Sequence, residues 1–394
     1  MRICLVVNTF PSVSETYIYN KAVSLALKGH KIHIVCHKKN VSKDNFLKYD
    51  LESSKIKVHV LSLSKTIRSV ISSFFESPAV FFQSLSLDKK AFRKNYVQNY
   101  YVQFFGKIKY DIIHFEFSGL AASFLPVMDE LKGKKVVSCR GTSEKVKLQI
   151  NNQRKELLSG LFRKVDLIHC VSEDMQKTVA PFCSDLSKIF INTSAIDISF
   201  FSTNKIKADV TAVKILSIGP LNFQKNYLTG ILALKILADS GHHFHWTIVG
   251  EGQQLEELQF HVFNLSLERH VDFLTKRNKE EIKTLLEESD IFLVTSVFEG
   301  IPNALLEAMS MRLPVVSTHC GGIDEVIDHG IDGFIAELYD HKTIADYLVQ
   351  LINNFELRNT IGEAARKKIE NNFAIDNQTK IFEDRYRSLL RSSN

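Results

Sequence analysis

Ser296-Val297-Phe298-Glu299-Gly300-Ile301-Pro302-Asn303-Ala304-Leu305-Leu306-Glu307-Ala308-Met309 follows an apolar run, Ile291-Phe292-Leu293-Val294, and leads into Pro314-Val315-Val316-Ser317-Thr318. Both flanking runs read as buried strands. Pro302 suits the first turn of a helix, where its missing N–H is not needed. The layout is therefore strand, short loop, helix, strand. In open α/β sheets, ligands bind at loops of this kind, at the carboxyl ends of parallel strands. Glu299 stands in the loop and Glu307 two turns into the helix. The loop carboxylate can meet the body of a ligand and the helix carboxylate its far end. Backbone N–H groups at the helix start favour an anion between them.

The same alternation extends towards the N-terminus. Ile3 to Val7 is a strand, Ile18, Ala22, Leu25 and Ala26 form a helical stripe that ends near Gly29, and Lys31 to Cys36 is a second strand. This β-α-β order implies a parallel sheet. Ser12 and Glu15 have capping-box spacing before that helix. No G-x-G-x-x-G follows the first strand, which disfavours a nicotinamide cofactor. Further strands follow at 111–117, 135–139, 165–171 and 188–192, with Ser172 an apt N-cap for the next helix. Residues 199 to about 211 are polar and without period, and a domain boundary is placed there. A second series begins with Val213–Ile218, then Gly219-Pro220-Leu221-Asn222-Phe223-Gln224-Lys225-Asn226. His245–Val249 ends in Gly250-Glu251-Gly252, a turn whose glycines allow close approach of a ligand. Val271–Leu274 leads to Thr275, Lys276 and Arg277.

Composition narrows the function classes. With 394 residues and 45% hydrophobic content, the chain can build two medium cores. A formal charge of +6 fits an anionic small molecule or an acidic membrane surface and is too weak to argue for nucleic acid. No run approaches the ~18 apolar residues of a membrane span, and the start reads as a strand, so a cytoplasmic protein is expected. The six cysteines are dispersed and read as small buried hydrophobes. Residues 64–109 carry eight Lys and Arg against Glu76 and Asp88, interleaved with Phe and Tyr. Such a segment can rest on the inner face of an anionic membrane, line an acceptor groove, or place core aromatics under a solvated basic face.

Taken together, these motifs resemble the retaining glycosyltransferases of family 4. The Glu299/Glu307 pair is similar to their E-x7-E signature, and Phe10-Pro11-Ser12-Val13-Ser14-Glu15-Thr16-Tyr17-Ile18 resembles the N-terminal loop of members that build exopolysaccharide, including colanic-acid-type enzymes. Ala195-Ile196-Asp197 resembles the family's turn before the linker, and Gly321-Gly322-Ile323-Asp324-Glu325 its Gly-Gly-x-x-Glu. The resemblance implies an α/β GT-B fold: two Rossmann-like parallel-sheet domains facing an interdomain cleft, with a C-terminal helix crossing back. The implied ranges are 1–205 for the acceptor, 206–375 for the donor and 376–394 for the helix.

The implied activity moves a sugar from a UDP- or GDP-sugar to a saccharide or lipid-linked saccharide in surface polysaccharide synthesis, with retention and without a metal or other cofactor. Glu299, Lys225 and His114 take catalytic roles by resemblance. Glu307 would accept the ribose hydroxyls. Gly300, Ile301, Pro302, Asn303, Gly219, Asn222, Gly250, Glu251, Thr275 and Lys276 would line the donor. Glu15, Thr16 and Arg140 would meet the acceptor. Three positions depart from the pattern: Pro220 replaces an Arg of the diphosphate clamp, Asn226 replaces a Gly, and Glu116 stands where a second His is expected after His114. Pro220 and Glu116 favour an alternative, a non-catalytic glycosyltransferase-like subunit. A nucleotide-sugar epimerase on the same fold is the other, and the Glu299/Glu307 pair argues against it.

Overall fold

The computed structural model describes residues 1–12, 15–39, 55–61, 89–204, 209–210 and 212–391. They divide into two compact units. One comprises Met1–Cys170, Gln176–Ile191 and Thr379–Asn394, the other Val171–Met175 and Asn192–Gln378.

The first unit is built on seven strands: β1 (Arg2–Phe10), β2 (Lys31–Lys39), β3 (Ile56–Val60), β4 (Ile112–Phe115), β5 (Lys134–Cys139), β6 (Leu167–Cys170) and β7 (Ile189–Ile191). Their order is β3-β2-β1-β4-β5-β6-β7, and every pairing is parallel. Ile3 to Val7 have no exposed surface, as expected of a central strand covered on both faces. The helix Thr16–Leu27 buries the stripe Ile18, Ala22, Leu25 and Ala26. It starts at Thr16 with Glu15 in the N-cap position, and no side chain caps it, so Glu15 is not spent on capping. In the short segment Val171–Met175, which belongs to the second unit, the Ser172 hydroxyl accepts from the Met175 N–H, as its position predicts.

The second unit has six strands: β8 (Val213–Ile218), β9 (Phe244–Val249), β10 (Val271–Leu274), β11 (Ile291–Val294), β12 (Val315–Thr318) and β13 (Phe334–Ala336). Their order is β10-β9-β8-β11-β12-β13, again parallel throughout. Successive strand residues face opposite layers. Ile215, Ile291 and Leu293 join Ile231, Leu234, Trp246 and Leu348 in one core. Leu216, Phe292 and Val294 join Ile282, Leu286, Leu305, Met309 and Ile369 in the other. Helices cover both faces, which is why the strands read as unbroken apolar runs.

Each sheet reverses its winding at one point. In the first this falls between β1 and β4, and in the second between β8 and β11. The carboxyl ends of the strands beside such a point are where this architecture holds ligands. Phe10 and Phe115 end the first pair, Ile218 and Val294 the second.

Of the basic, aromatic-rich stretch 64–109, residues 64–88 lie outside the described residues. The rest forms the helix Lys89–Gly106, in which Tyr101 and Phe105 are buried and Tyr101 stacks on Phe124 at 4.2 Å. Lys107 and Lys109 are exposed. This described part places core aromatics on the helix. No helix among the described residues is long and apolar enough to cross a membrane. Five of the cysteines are buried.

Candidate active site

In the second unit, the loops after β8 and β11 carry Lys225 and Glu299 to the winding reversal. Lys225 Nζ lies 2.6 Å from Glu299 Oε1. The Ser296 hydroxyl donates to the same carboxylate oxygen at 2.9 Å. The two loops are also laced along their backbones. Val297 N–H donates to the Gln224 carbonyl, Gln224 Nε2 to the Phe298 carbonyl, and the Thr295 hydroxyl to the Lys225 carbonyl. Glu299 is 8% exposed, so its charge depends on Lys225 for a partner. Ser296, Gln224 and Thr295 are site-forming residues to which the sequence motifs gave no role. Their signal would have been hydroxyl and amide side chains at the ends of apolar strands.

The glycines serve this lacing. A β-carbon on Gly219 would meet Lys225 Cε at 2.6 Å, so the lysine side chain runs across a surface that only glycine leaves open. A β-carbon on Gly250 would overlap the Gly219 carbonyl oxygen, and one on Gly252 the Leu221 carbonyl oxygen. Leu221 N–H donates to the Glu251 carbonyl and Gln254 N–H to that of Leu221. The Gly-x-Gly turn is thus packed against the 219–221 backbone, and that strand-end loop, rather than a ligand, takes up the room its glycines leave. Gly321, at φ +62°, sits against the Glu299 backbone in the same manner. Replacing Gly250 by Ala should cost roughly 3 kcal/mol, because rigid backbone would have to move. Gly241→Ala, strained at φ +76° but open in space, should cost about 1 kcal/mol. Urea unfolding of both variants checks the ranking, and equal losses would show that the contact at Gly250 does not matter.

Asn226 replaces the expected glycine and adopts φ 48°, ψ 47° at the N-cap of the helix Tyr227–Asp239. Asn tolerates this left-handed geometry better than other side chains, so the turn survives the replacement. Pro220 brings no cation. Lys225 carries the positive charge at this loop.

The helix after β11 spans Asn303–Ser310, with Pro302 at the N-cap rather than inside the first turn. Glu307 is its fifth residue, nearer one turn in than two. It is half-buried, and burial raises its carboxyl to about 7, with Lys279 pulling the other way. Asn303 Oδ1 is buried without a hydrogen-bond partner, a polar atom waiting for a donor. Ile301 is buried in the core. Thr275, Lys276 and Glu251 are exposed, and the Thr275 hydroxyl accepts from Arg277 Nη1. Asn222 Oδ1 accepts weakly from the Lys225 N–H at 3.3 Å and fixes the loop that carries the lysine.

The first unit has its own charge cluster at the reversal between β1 and β4. Glu116 is fully buried between two cations: Lys21, also fully buried, and Arg140, whose Nη2 lies 2.9 Å from Glu116 Oε2. Burial alone would raise the Glu116 carboxyl, but Lys21 and Arg140 hold it below the usual range. Burial draws Lys21 down to about 8. The Arg140 guanidinium lies 4.3 Å over the Tyr17 ring. Glu15 Oε2 is buried without a partner, and burial raises this carboxyl although Arg140 opposes the shift. Glu15 and Arg140 are therefore brought together as expected, with Thr16 beside them at the first helical position.

His114 is different. It has no exposed surface, its Nδ1 meets the Tyr386 hydroxyl at 2.6 Å, and its Nε2 meets the Ser138 hydroxyl at 2.8 Å. Burial, with Lys21 and Arg140 nearby, holds the ring well below its ordinary value and hence neutral. Both nitrogens are engaged inside the core, and Nδ1 also lies 3.4 Å from Lys21 Nζ. The residue at the second His position, Glu116, is the structural centre of the cluster. Sequence reasoning missed Lys21, which looks like one more polar residue on an amphipathic helix.

Residues 14–200 match the family described as Glycosyltransferase Family 4, and residues 200–368 match Glycosyl transferases group 1. The chain is similar to the amylovoran biosynthesis glycosyltransferase AmsK of Erwinia amylovora, with 31% identity over 268 residues, covering 66% of this chain and 66% of that relative. It is 28% identical over 233 residues to the UDP-Gal:alpha-D-GlcNAc-diphosphoundecaprenol alpha-1,3-galactosyltransferase of Escherichia coli, covering 56% of this chain and 59% of that one. Among solved structures, HepE of Anabaena in complex with UDP aligns with a TM-score of 0.77 at 17% identity, over 98% of this chain and all of that one. That likeness is one of fold: two Rossmann-like parallel-sheet domains of the GT-B class.

Proposed function

Since the chain belongs to the glycosyltransferases, with a family 4 half followed by a group 1 half, we propose that it transfers a hexosyl group from a nucleoside-diphosphate sugar to a saccharide or lipid-linked saccharide in surface polysaccharide synthesis. The observation that carries the reading is the Lys225–Glu299 pair at the winding reversal of the second sheet, with Glu307 on the helix that follows. Glycosyl transfer passes through an oxocarbenium-like state while negative charge grows on the departing diphosphate. Lys225 and the N–H groups at the start of the helix Asn303–Ser310 supply preorganised positive potential for that charge. Glu299, anchored by Lys225 and Ser296, orients the donor sugar through its hydroxyls. Glu307 accepts from the ribose hydroxyls. Glu15 and Arg140 in the first unit receive the acceptor, whose hydroxyls suit the unpartnered Glu15 oxygen. The family resemblance supports retention of configuration, by attack on the face the phosphate leaves, assisted by the departing phosphate.

Relatives support a uridine diphosphate donor: one is named for UDP-Gal, and a structure of similar fold holds UDP. Calorimetry with UDP, GDP and their sugars, followed by a donor-hydrolysis assay, tests the proposal. Binding of one nucleotide with slow hydrolysis of its sugar is the expected result. Binding with no turnover on any lipid-linked acceptor would instead make the chain a non-catalytic subunit. Glu307→Ala should weaken nucleotide binding by roughly tenfold to a hundredfold, the scale of lost hydrogen bonds to a charged group. Unchanged affinity in that variant would remove Glu307 from the site.

A further inference from the structure

The loop from Pro220 to Asn226 inverts the usual order of burial. Its polar side chains Asn222, Gln224, Lys225 and Asn226 are all half-buried, while the phenyl ring of Phe223 is 60% exposed. A single apolar side chain on a surface needs no explanation. Phe223 is not single. Its ring lies 5.8 Å from that of Phe298, inclined at 52°, and Phe298 belongs to the other loop of the winding reversal. Gln224, the residue after Phe223, donates its Nε2 to the Phe298 carbonyl, and Val297 N–H donates to the Gln224 carbonyl. The backbone beside both rings is therefore tied. The next contact between the same two loops is the Lys225–Glu299 pair. Lys225 and Ser296 both meet Glu299 at Oε1, which leaves Oε2 for a ligand hydroxyl. Consecutive residues, Phe298 and Glu299, thus offer an aromatic shelf and a carboxylate oxygen.

A pyranose ring matches that combination. It carries hydroxyls around its rim and a face of C–H groups, which packs on the electron-rich face of an aromatic ring. A phosphate has no apolar face to place there. In the nucleoside-diphosphate reading the ribose lies at Glu307 and the diphosphate at Lys225 and the helix start, so the group that reaches Glu299 and Phe298 is the sugar being transferred. We propose that Phe223 and Phe298 form a subsite for that sugar: the pyranose lays a C–H face on the two rings while Glu299 holds its hydroxyls. The inference rests on the nucleoside-diphosphate reading and deepens it, because it assigns to these rings a contact that the sugar makes and the nucleotide does not.

Calorimetry with UDP and GDP, set against UDP-galactose, UDP-glucose and GDP-mannose, tests it. Phe223→Ala should weaken the nucleotide-sugar that the wild type binds by roughly fivefold, while affinity for the free nucleotide stays within about twofold. Phe223→Tyr keeps the ring and should restore the nucleotide-sugar affinity. Phe223 is exposed, so its truncation spares the core, and thermal unfolding of Phe223→Ala should match the wild type. Phe260→Ala is the control. It removes a phenyl that is 62% exposed on the helix Leu255–Asn264, and it should change neither affinity. If Phe223→Ala weakens nucleotide and nucleotide-sugar equally, or weakens neither, the inference is overturned and the nucleotide reading stands. Absence of UDP and GDP binding by the wild type overturns both.

Discussion

Lys225→Ala should lower sugar-transfer or donor-hydrolysis turnover by about a hundredfold or more, the scale seen when one preorganised charge-stabilising donor is removed. The reason lies in how few cations serve this site. Pro220 stands where a second clamp cation is expected, and Lys225 is held 2.6 Å from Glu299 at the carboxyl ends of β8 and β11. The variant also leaves the Glu299 carboxylate buried without its partner, so some stability is lost as well. Turnover must therefore be normalised to the folded fraction, measured by circular dichroism at the assay temperature. Glu299→Gln is the companion. It frees Lys225 from its neutralising partner, so UDP affinity should hold or rise while turnover falls, because the donor sugar loses its anchor. If Lys225→Ala keeps its rate after normalisation, the diphosphate is not seated at this loop.

Much of this was legible in the chain itself, because parallel strands covered on both faces leave continuous apolar runs, and the loops between them announce the ligand side. Glu299, Lys225 and Glu307 could be found because they fall at fixed offsets from such runs. Asn226 could be flagged as a departure, but only its observed φ of 48° shows that it preserves the turn. The purpose of the glycines was misread for a physical reason: Gly250 and Gly252 look like ligand-facing positions, whereas neighbouring backbone fills the space their missing side chains leave. The depth of His114 was not legible either, because a strand-end histidine gives no hint of it. Its burial depends on Tyr386, which lies 272 residues away. Separation in sequence likewise concealed Lys21, Glu116 and Arg140 as one cluster, since no local pattern joins a helix residue to two strand ends.

That cluster carries the largest expected effect on stability. Glu116→Gln should destabilise the first unit by roughly 3–5 kcal/mol, because it strips the counter-charge from Lys21, which has no exposed surface, and from the largely buried Arg140. Lys21→Met should cost less, since Glu116 keeps Arg140 at 2.9 Å. The double variant should be more stable than the sum of the two losses predicts, by about 1–3 kcal/mol, because the methionine no longer needs a carboxylate. Protonation gives an independent reading. The Glu116 carboxyl is held below its ordinary value of 4.5 in the folded protein, so its contribution is complete above that value and fades as the pH falls through the folded one. Lys21 titrates at about 8 when folded against 10.5 ordinarily. Between those values the unfolded chain binds more protons, so stability should rise with pH, and Lys21→Met should abolish that rise. Urea unfolding from pH 3 to 10 measures both limbs. Strict additivity of the two variants, with acid and alkaline limbs unchanged, would mean that the three charges do not act as a unit.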